Sequence, residues 1–487
     1  MPSAHHNNAQ HFITCEAIIT CLKAIITVLL FLENKKRRTM KPIKDYDSPA
    51  WWEFYCDDIM TEYRQSYEEG LDVESLKEVF EAVSKMKRSE HKEEICDILF
   101  NMVCEAKMRD DYKYIEPSDY DEIKKLTKKY PIKKVRLSKK TLERKIQGAW
   151  FGRICGCMLG KPIECLWKED IWKILKSSDN FPLQRYIKTT DIKEDMKHIG
   201  WVLNRPFIDK VNGYAPFDDD TNYMVMGYEI VKRFGRDFSA GHVALAWQML
   251  QPKESYCTAE RRAFINFTNR FKPPHSATYK NVFREWIGAQ IRGDYFGYIN
   301  PGDPVEAAKM AFKDASISHV KNGIYGEMWA SAMIATAFST NNMVDIIKSG
   351  LAQIPYTSRL YERVSAVLDW YNEGLSSEEC FIKIYEEWDD HNSHDWCHTI
   401  SNAMIVAASL LYGENDYSKT ICLAVQAGFD TDCNGATVGS ILGITNGIDG
   451  IDKKWTEPFN DTLETTLFGY DKVKISDMAK KTLEHIK

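Results

Sequence analysis

Two glycine ladders constrain this chain more than any other feature. Gly148, Gly152, Gly156 and Gly160 recur every four residues through GAWFGRICGCMLG. Gly435, Gly439, Gly443 and Gly447 do the same through GATVGSILGITNG. The apolar residues between them have helical rather than loop character. A glycine inside a helix costs about 1 kcal/mol relative to alanine. Two ladders are therefore unfavourable unless the missing side chains let two backbones approach, and the spacing predicts one helix packed on the other along a glycine seam. The first ladder runs into Gly160-Lys161-Pro162, a helix stop, and Glu164 follows at once. If the seam forms, Glu164 arrives near Asp430 and Asp432, which precede the second ladder.

Acidic residues make the second constraint. Asp218-Asp219-Asp220-Thr221 precedes a helical pattern with apolar residues at Tyr223, Met226, Ile230 and Phe234. Asp430-Thr431-Asp432-Cys433-Asn434-Gly435 opens the late ladder. One Asp per helix is accounted for as an N-cap, and carboxylates are favoured there. For either cluster taken alone, a solvated acidic loop with a cap is the plain reading. A run of three Asp must be splayed in solvent or neutralised, and oxygen-only clusters suit hard divalent ions such as Mg²⁺, Mn²⁺ or Ca²⁺. The expectation is that the two clusters meet in space and hold metal.

The three segments GKPIE, DDDT and GFDTDC, in this order, resemble the motifs of the ADP-ribosylglycohydrolases, which include the dinitrogenase reductase-activating glycohydrolases. The resemblance spans Leu142 to Gly469. It implies an all-α protein, a single large helical bundle domain of that type with an N-terminal helical extension. It also implies two Mg²⁺ ions, with Mn²⁺ as an alternative, and hydrolysis at the anomeric carbon of an ADP-ribosyl or related ribosyl group. Carried over by position, Asp218, Asp219 and Asp220 form the first metal group. Asp430 and Asp432, with Cys433 where the family has Thr, form the second. Thiol sulfur is a poor ligand for Mg²⁺. Glu164, Asp219 and Asp430 are the catalytic candidates. Glu164, His319, Phe429 and Asn434 are the substrate-binding candidates; Phe429 stands where the family has Gly and would narrow the space beside the metals. His319 is read equally as a substrate contact or a helix cap. The substrate implied is an ADP-ribosylated protein or a small ADP-ribosyl compound. A small N-ribosyl metabolite or nucleoside, or a non-catalytic relative that only binds ADP-ribose, are the alternatives. A prenyl-diphosphate enzyme is disfavoured, because DDDTN lacks the fifth-position Asp of D-D-x-x-D.

The remainder of the chain is read around that core. A net charge of −6 supplies no general attraction to nucleic acid. The 13 cysteines are scattered and odd in number, as expected of reduced thiols and a cytoplasmic protein. Residues 1–39 are an apolar and basic extension, read as upstream of a start at Met40. Residues 17–32 fall short of the roughly 20 apolar residues a spanning helix needs, so membrane anchoring is the weaker reading. Residues 40–137 form a helical N-terminal region and 138–487 the catalytic domain. Trp51 and Trp52 are read as core more readily than as a stacking platform. Cys155 and Cys157 are read as core, and residues 165–216 as an irregular insertion able to overhang the site. His391, His394 and His398 lie near Asp389, Asp390 and Asp395, but lack the H-E-x-x-H spacing and read as a solvated loop.

Overall fold

In the computed structural model, residues 44–132 and 135–487 are described. The glycine ladders form the spine of the fold. The early one lies on the helix Lys139–Gly160 and the late one on Thr431–Asn446. The two run antiparallel at backbone contact. A methyl on Gly148 would meet the Gly443 oxygen at 2.1 Å, one on Gly152 the Gly439 oxygen at 2.2 Å, and one on Gly156 the Gly435 oxygen at 2.0 Å. No real side chain occupies such distances, so the seam exists only because these positions lack a Cβ. Gly447 departs from the ladder: it is the helix C-cap with φ near +70°, where glycine is favoured for conformation rather than approach.

The helices around this pair are labelled in chain order: α1 (Ile59–Glu68), α2 (Lys77–Ser84), α3 (Glu90–Glu105), α4 (Lys139–Gly160), α5 (Lys168–Ser177), α6 (Asp219–Phe234), α7 (Thr258–Thr268), α8 (Pro304–Ala315), α9 (Lys321–Ala337), α10 (Arg359–Asn372), α11 (Thr399–Tyr412), α12 (Tyr417–Gln426) and α13 (Thr431–Asn446). The fold is all-α; among the described residues the sheet content is one two-stranded ribbon, Thr462–Glu464 against Lys472–Lys474. Helix starts follow local chemistry. Ser89, Ser138 and Asp303 each accept a backbone N–H from the third residue of their helix, and Pro304 opens α8. Central α9 is buried from Asn322 to Ala337, as a helix enclosed on all sides must be. The stretch between Cys165 and Pro216 is more regular than expected, with α5 and a run of 3₁₀ turns over Glu194–Asn204.

Pro49–Lys487 forms one compact unit that includes the helical N-terminal region. That region is fastened by ion pairs. The Arg284 guanidinium reaches Glu62 of α1 at 2.9 Å and Glu69 at 2.6 Å, with all three side chains buried. Arg359 joins Glu116 to Glu285 at 2.8 Å each. Gln65 donates to Glu285 at 2.6 Å. The extension over residues 1–39, its apolar stretch 17–32 and Met40 lie outside the described residues; no described helix is long and apolar enough to cross a membrane.

Candidate metal centre and cavity

The seam brings the two acidic clusters to one cavity. At its end, Gly160 packs against Thr431, whose hydroxyl donates to the Gly160 carbonyl at 3.0 Å. This contact lays the start of α13 beside the end of α4, and the short turn Lys161–Ile163 then turns the chain to Glu164. Glu164, Asp219, Asp430, Asp432 and Cys433 line a cavity of about 700 Å³.

Each carboxylate has its own surroundings. Asp218 caps α6, accepting the Asp220 N–H at 2.9 Å, and is ion-paired with Lys161. Burial opposes its ionisation, but Lys161 prevails and holds the carboxyl below its ordinary range. Asp220 is fully buried and meets Arg153 at 2.7 Å; the same guanidinium reaches Asp294 at 2.8 Å. Asp430 accepts no cap hydrogen bond, and its N–H donates to Asn402 at 3.1 Å. Burial, then Glu164, push Asp430 up to about 7. Asp432 is raised well above its ordinary value by burial and by Glu164 and Asp430. Asp219 is raised by burial and by Asp218, Asp220 and Glu164. Glu164 itself is held by Arg205 at 2.6 Å.

These groups could hold a metal ion. Asp220 Oδ2 and Asp432 Oδ1 are buried with no hydrogen-bond partner in the structure. An unpartnered buried carboxylate oxygen is costly. Lys161 and Arg153 are too few to neutralise four buried aspartates and the half-buried Asp219, and the raised carboxyls express burial together with the remaining excess of negative charge. Hard oxygen donors, surplus negative charge and orphaned oxygens fit a hard divalent cation. The two sulfurs fit it less well. Burial, then Asp220 and Asp430, push the Cys433 thiol well up, so it keeps its proton. Cys157 is similarly placed beside Asp218 and Asp220.

The sequence pattern of the ADP-ribosylglycohydrolases matches residues 138–486. The chain belongs to the ADP-ribosylglycohydrolase family. Among curated proteins none matches this chain. One solved structure similar to it is described as an ADP-ribosylglycohydrolase-related protein complex, with 16% identity, 72% of this chain and 100% of that chain covered, and a TM-score of 0.45. Membership supports glycohydrolase activity in general terms.

Within this glycohydrolase-family chain, three of the expected substrate contacts do not reach the cavity wall. His319 is buried, hydrogen-bonded through Nδ1 to Ser318 at 2.9 Å, and burial pushes it well below the ordinary histidine range. Phe429 is fully buried and stacks on Tyr385 with centroids 6.2 Å apart. Asn434 is fully buried and donates to Asn402 at 2.8 Å, bracing the start of α13. His319 is enclosed at the start of α9 against Gly323, and Phe429 and Asn434 turn inward at the start of α13. Nor is the His391–His398 stretch a solvated loop. His394 and His398 are buried; His394 accepts from Trp286 Nε1 at 3.0 Å and meets Glu68 at 3.0 Å. His391 alone of the three borders the cavity, stacked on Trp167 at 4.1 Å.

Four site residues carried no signal in the sequence reading: Lys161, Arg153, Arg205 and Cys157. Lys161 sits inside the quoted GKPIE and Arg153 between two ladder glycines. Their inward orientation depends on the seam, which places that helix face against α6.

Proposed function

We propose that this chain catalyses metal-dependent hydrolysis of a glycosidic bond at the anomeric carbon of a ribosyl group. The observation that carries the reading is the convergence of Glu164, Asp219, Asp430 and Asp432 on one cavity, with buried carboxylate oxygens that have no partner among the protein's own groups. Asp218, Asp219, Asp220, Asp430 and Asp432 would hold Mg²⁺ or Mn²⁺, two ions by family resemblance. Bound metal supplies a site for the ribose hydroxyls and lowers the pKa of water.

The protein's own groups account for the remaining steps. Glu164, fixed by Arg205, orients the sugar from the cavity wall. Asp430, on the cavity wall at the start of α13, would accept a proton from the attacking water. As the bond to the leaving group stretches, positive charge develops on the ribose ring, and the surrounding carboxylates stabilise it. Cys433 remains protonated beside Asp430 and Asp432.

ADP-ribosyl compounds are the substrates suggested by the family. A small N-ribosyl metabolite or nucleoside is the second reading, favoured by the wall that residues outside the family match add to the cavity. The test assays Asp219→Asn and Asp430→Asn with Mg²⁺ on ADP-ribosyl-arginine, ADP-ribosyl-serine, O-acetyl-ADP-ribose and nucleosides. Each variant is expected to lose about 100-fold or more in turnover of whichever substrate the wild type cleaves. Wild-type rates in both would end the mechanism. Binding without product, followed by calorimetry and chromatography, would instead establish a non-catalytic binding protein.

A further inference from the structure

The cavity has a second wall, and it comes from outside the family match. Pro49, Ala50, Trp51, Trp52, Asp58 and Thr61 line the same cavity as Glu164 and Asp430. The match begins only at residue 138. Trp51 is 71% exposed although it sits on a cavity, and its ring lies 6.2 Å from that of Trp52 at 55°. Large aromatic rings left uncovered on a cavity rim are binding surfaces more often than packing remnants. This wall is held rigidly. Glu53, between the tryptophans and α1, is clamped by Lys253 at 2.7 Å and by Arg261 at 3.0 Å, while Arg262 donates to its carbonyl at 2.6 Å.

The charge on the wall selects the ligand. Asp58 lines the cavity, half-buried, and its carboxylate makes no hydrogen bond or ion pair with any described residue. Arg88 is the one guanidinium among the described lining residues, and it is committed to Asp57 through two bonds of 3.0 and 2.6 Å. Lys161 and Arg205 are likewise taken by Asp218 and Glu164. A diphosphate is held most firmly by uncommitted cations, and the described lining residues of this wall present none. An exposed Trp51 ring on the same cavity as the unpaired Asp58 carboxylate is instead the chemistry of cation recognition.

We propose that residues 49–61 form the leaving-group subsite of this cavity and select ribosides whose leaving group is a planar, positively charged nitrogen heterocycle, with no diphosphate on the sugar. The inference rests on the glycohydrolase reading above and narrows its substrate class. The chemistry balances without a general acid. As the bond from C1′ to the ring nitrogen breaks, both electrons go to nitrogen and cancel its charge. The water oxygen bonds to C1′, and one water proton passes to a carboxylate and then to solvent.

The test reads binding alone, so it does not depend on turnover. Calorimetry on the full chain with Mg²⁺ compares 1-methylnicotinamide, a planar cation, with neutral nicotinamide and with ADP-ribose. The cation is expected to bind about 10-fold more tightly than nicotinamide, and ADP-ribose more weakly than the cation. Asp58→Asn should erase the preference for the cation while leaving nicotinamide binding unchanged. Trp51→Ala should weaken both ring probes by about 10-fold, with an unchanged circular dichroism spectrum. Equal affinity for cation and neutral ring, tighter binding of ADP-ribose, or wild-type binding in both variants would overturn the proposal. Any of these could occur while Asp219→Asn and Asp430→Asn still abolish hydrolysis, so failure here is distinct from failure of the glycohydrolase reading.

Discussion

The glycine seam and the N-terminal region hold this molecule together by opposite means. Along α4 and α13 the contact is backbone against backbone, and specificity comes from side chains that are absent. Between residues 49–125 and the remainder, specificity comes from buried charge: Arg284 with Glu62 and Glu69, and Arg359 with Glu116 and Glu285. A steric seam tolerates no added atom, whereas an ionic clamp tolerates replacement of all its members but not of one. The two contacts also serve the cavity differently. The seam brings the acidic clusters together, and the clamp positions the wall that faces them.

Breaking the clamp at one member should have the largest effect. Arg284→Met leaves Glu62 buried without its cation and Glu69 with Lys321 alone, and should cost about 3–5 kcal/mol in urea denaturation. Adding Glu62→Gln to that variant should recover part of the loss, because a neutral side chain at 62 needs no cation. Breaking the seam comes next. Gly156→Ala puts a methyl 2.0 Å from the Gly435 oxygen, and the backbones must separate at a cost of about 3 kcal/mol or a little less. The same substitution at Gly241, in the helix Ala240–Leu250, meets its nearest atom at 3.7 Å. There alanine should stabilise by up to about 1 kcal/mol. Equal effects at the two glycines would mean that the seam is not a close contact.

What could be read in the sequence follows the same division. The seam leaves a period of four, because every turn of both helices must be bare. The Asp218–Asp220 run is conspicuous because adjacent like charges need neutralising. The clamp leaves no comparable mark: Glu62, Arg284 and Arg359 look like any solvated charge until the helices are packed. Lys161 and Arg153 escaped notice for that reason, and His394 and His398, read as solvated, are enclosed by Trp286 and the Glu68 carboxylate. Trp51 misled in the other direction. Tryptophan is usually core, and only its exposure on a cavity wall distinguishes it from Trp52, which is half-buried beside it.

Metal should couple the seam to pH. The Asp430 carboxyl is raised to about 7 from its ordinary value near 3.8. The metal-free folded state therefore keeps a proton that the unfolded chain has already released. Between about pH 4 and 7 its stability should fall as pH rises. Saturating Mn²⁺ should reverse that slope near neutrality and add about 2.7 kcal/mol at a hundredfold excess over Kd.

The account stands most directly on whether carboxylates about two hundred residues apart bind one ligand together. Mn²⁺ titrated calorimetrically into the metal-free full chain at pH 7.5 should bind saturably and release protons. Asp219→Asn, on α6, and Asp430→Asn, at the start of α13, should each weaken that binding by about 10-fold or more. Unchanged Mn²⁺ affinity in both variants would contradict a shared centre.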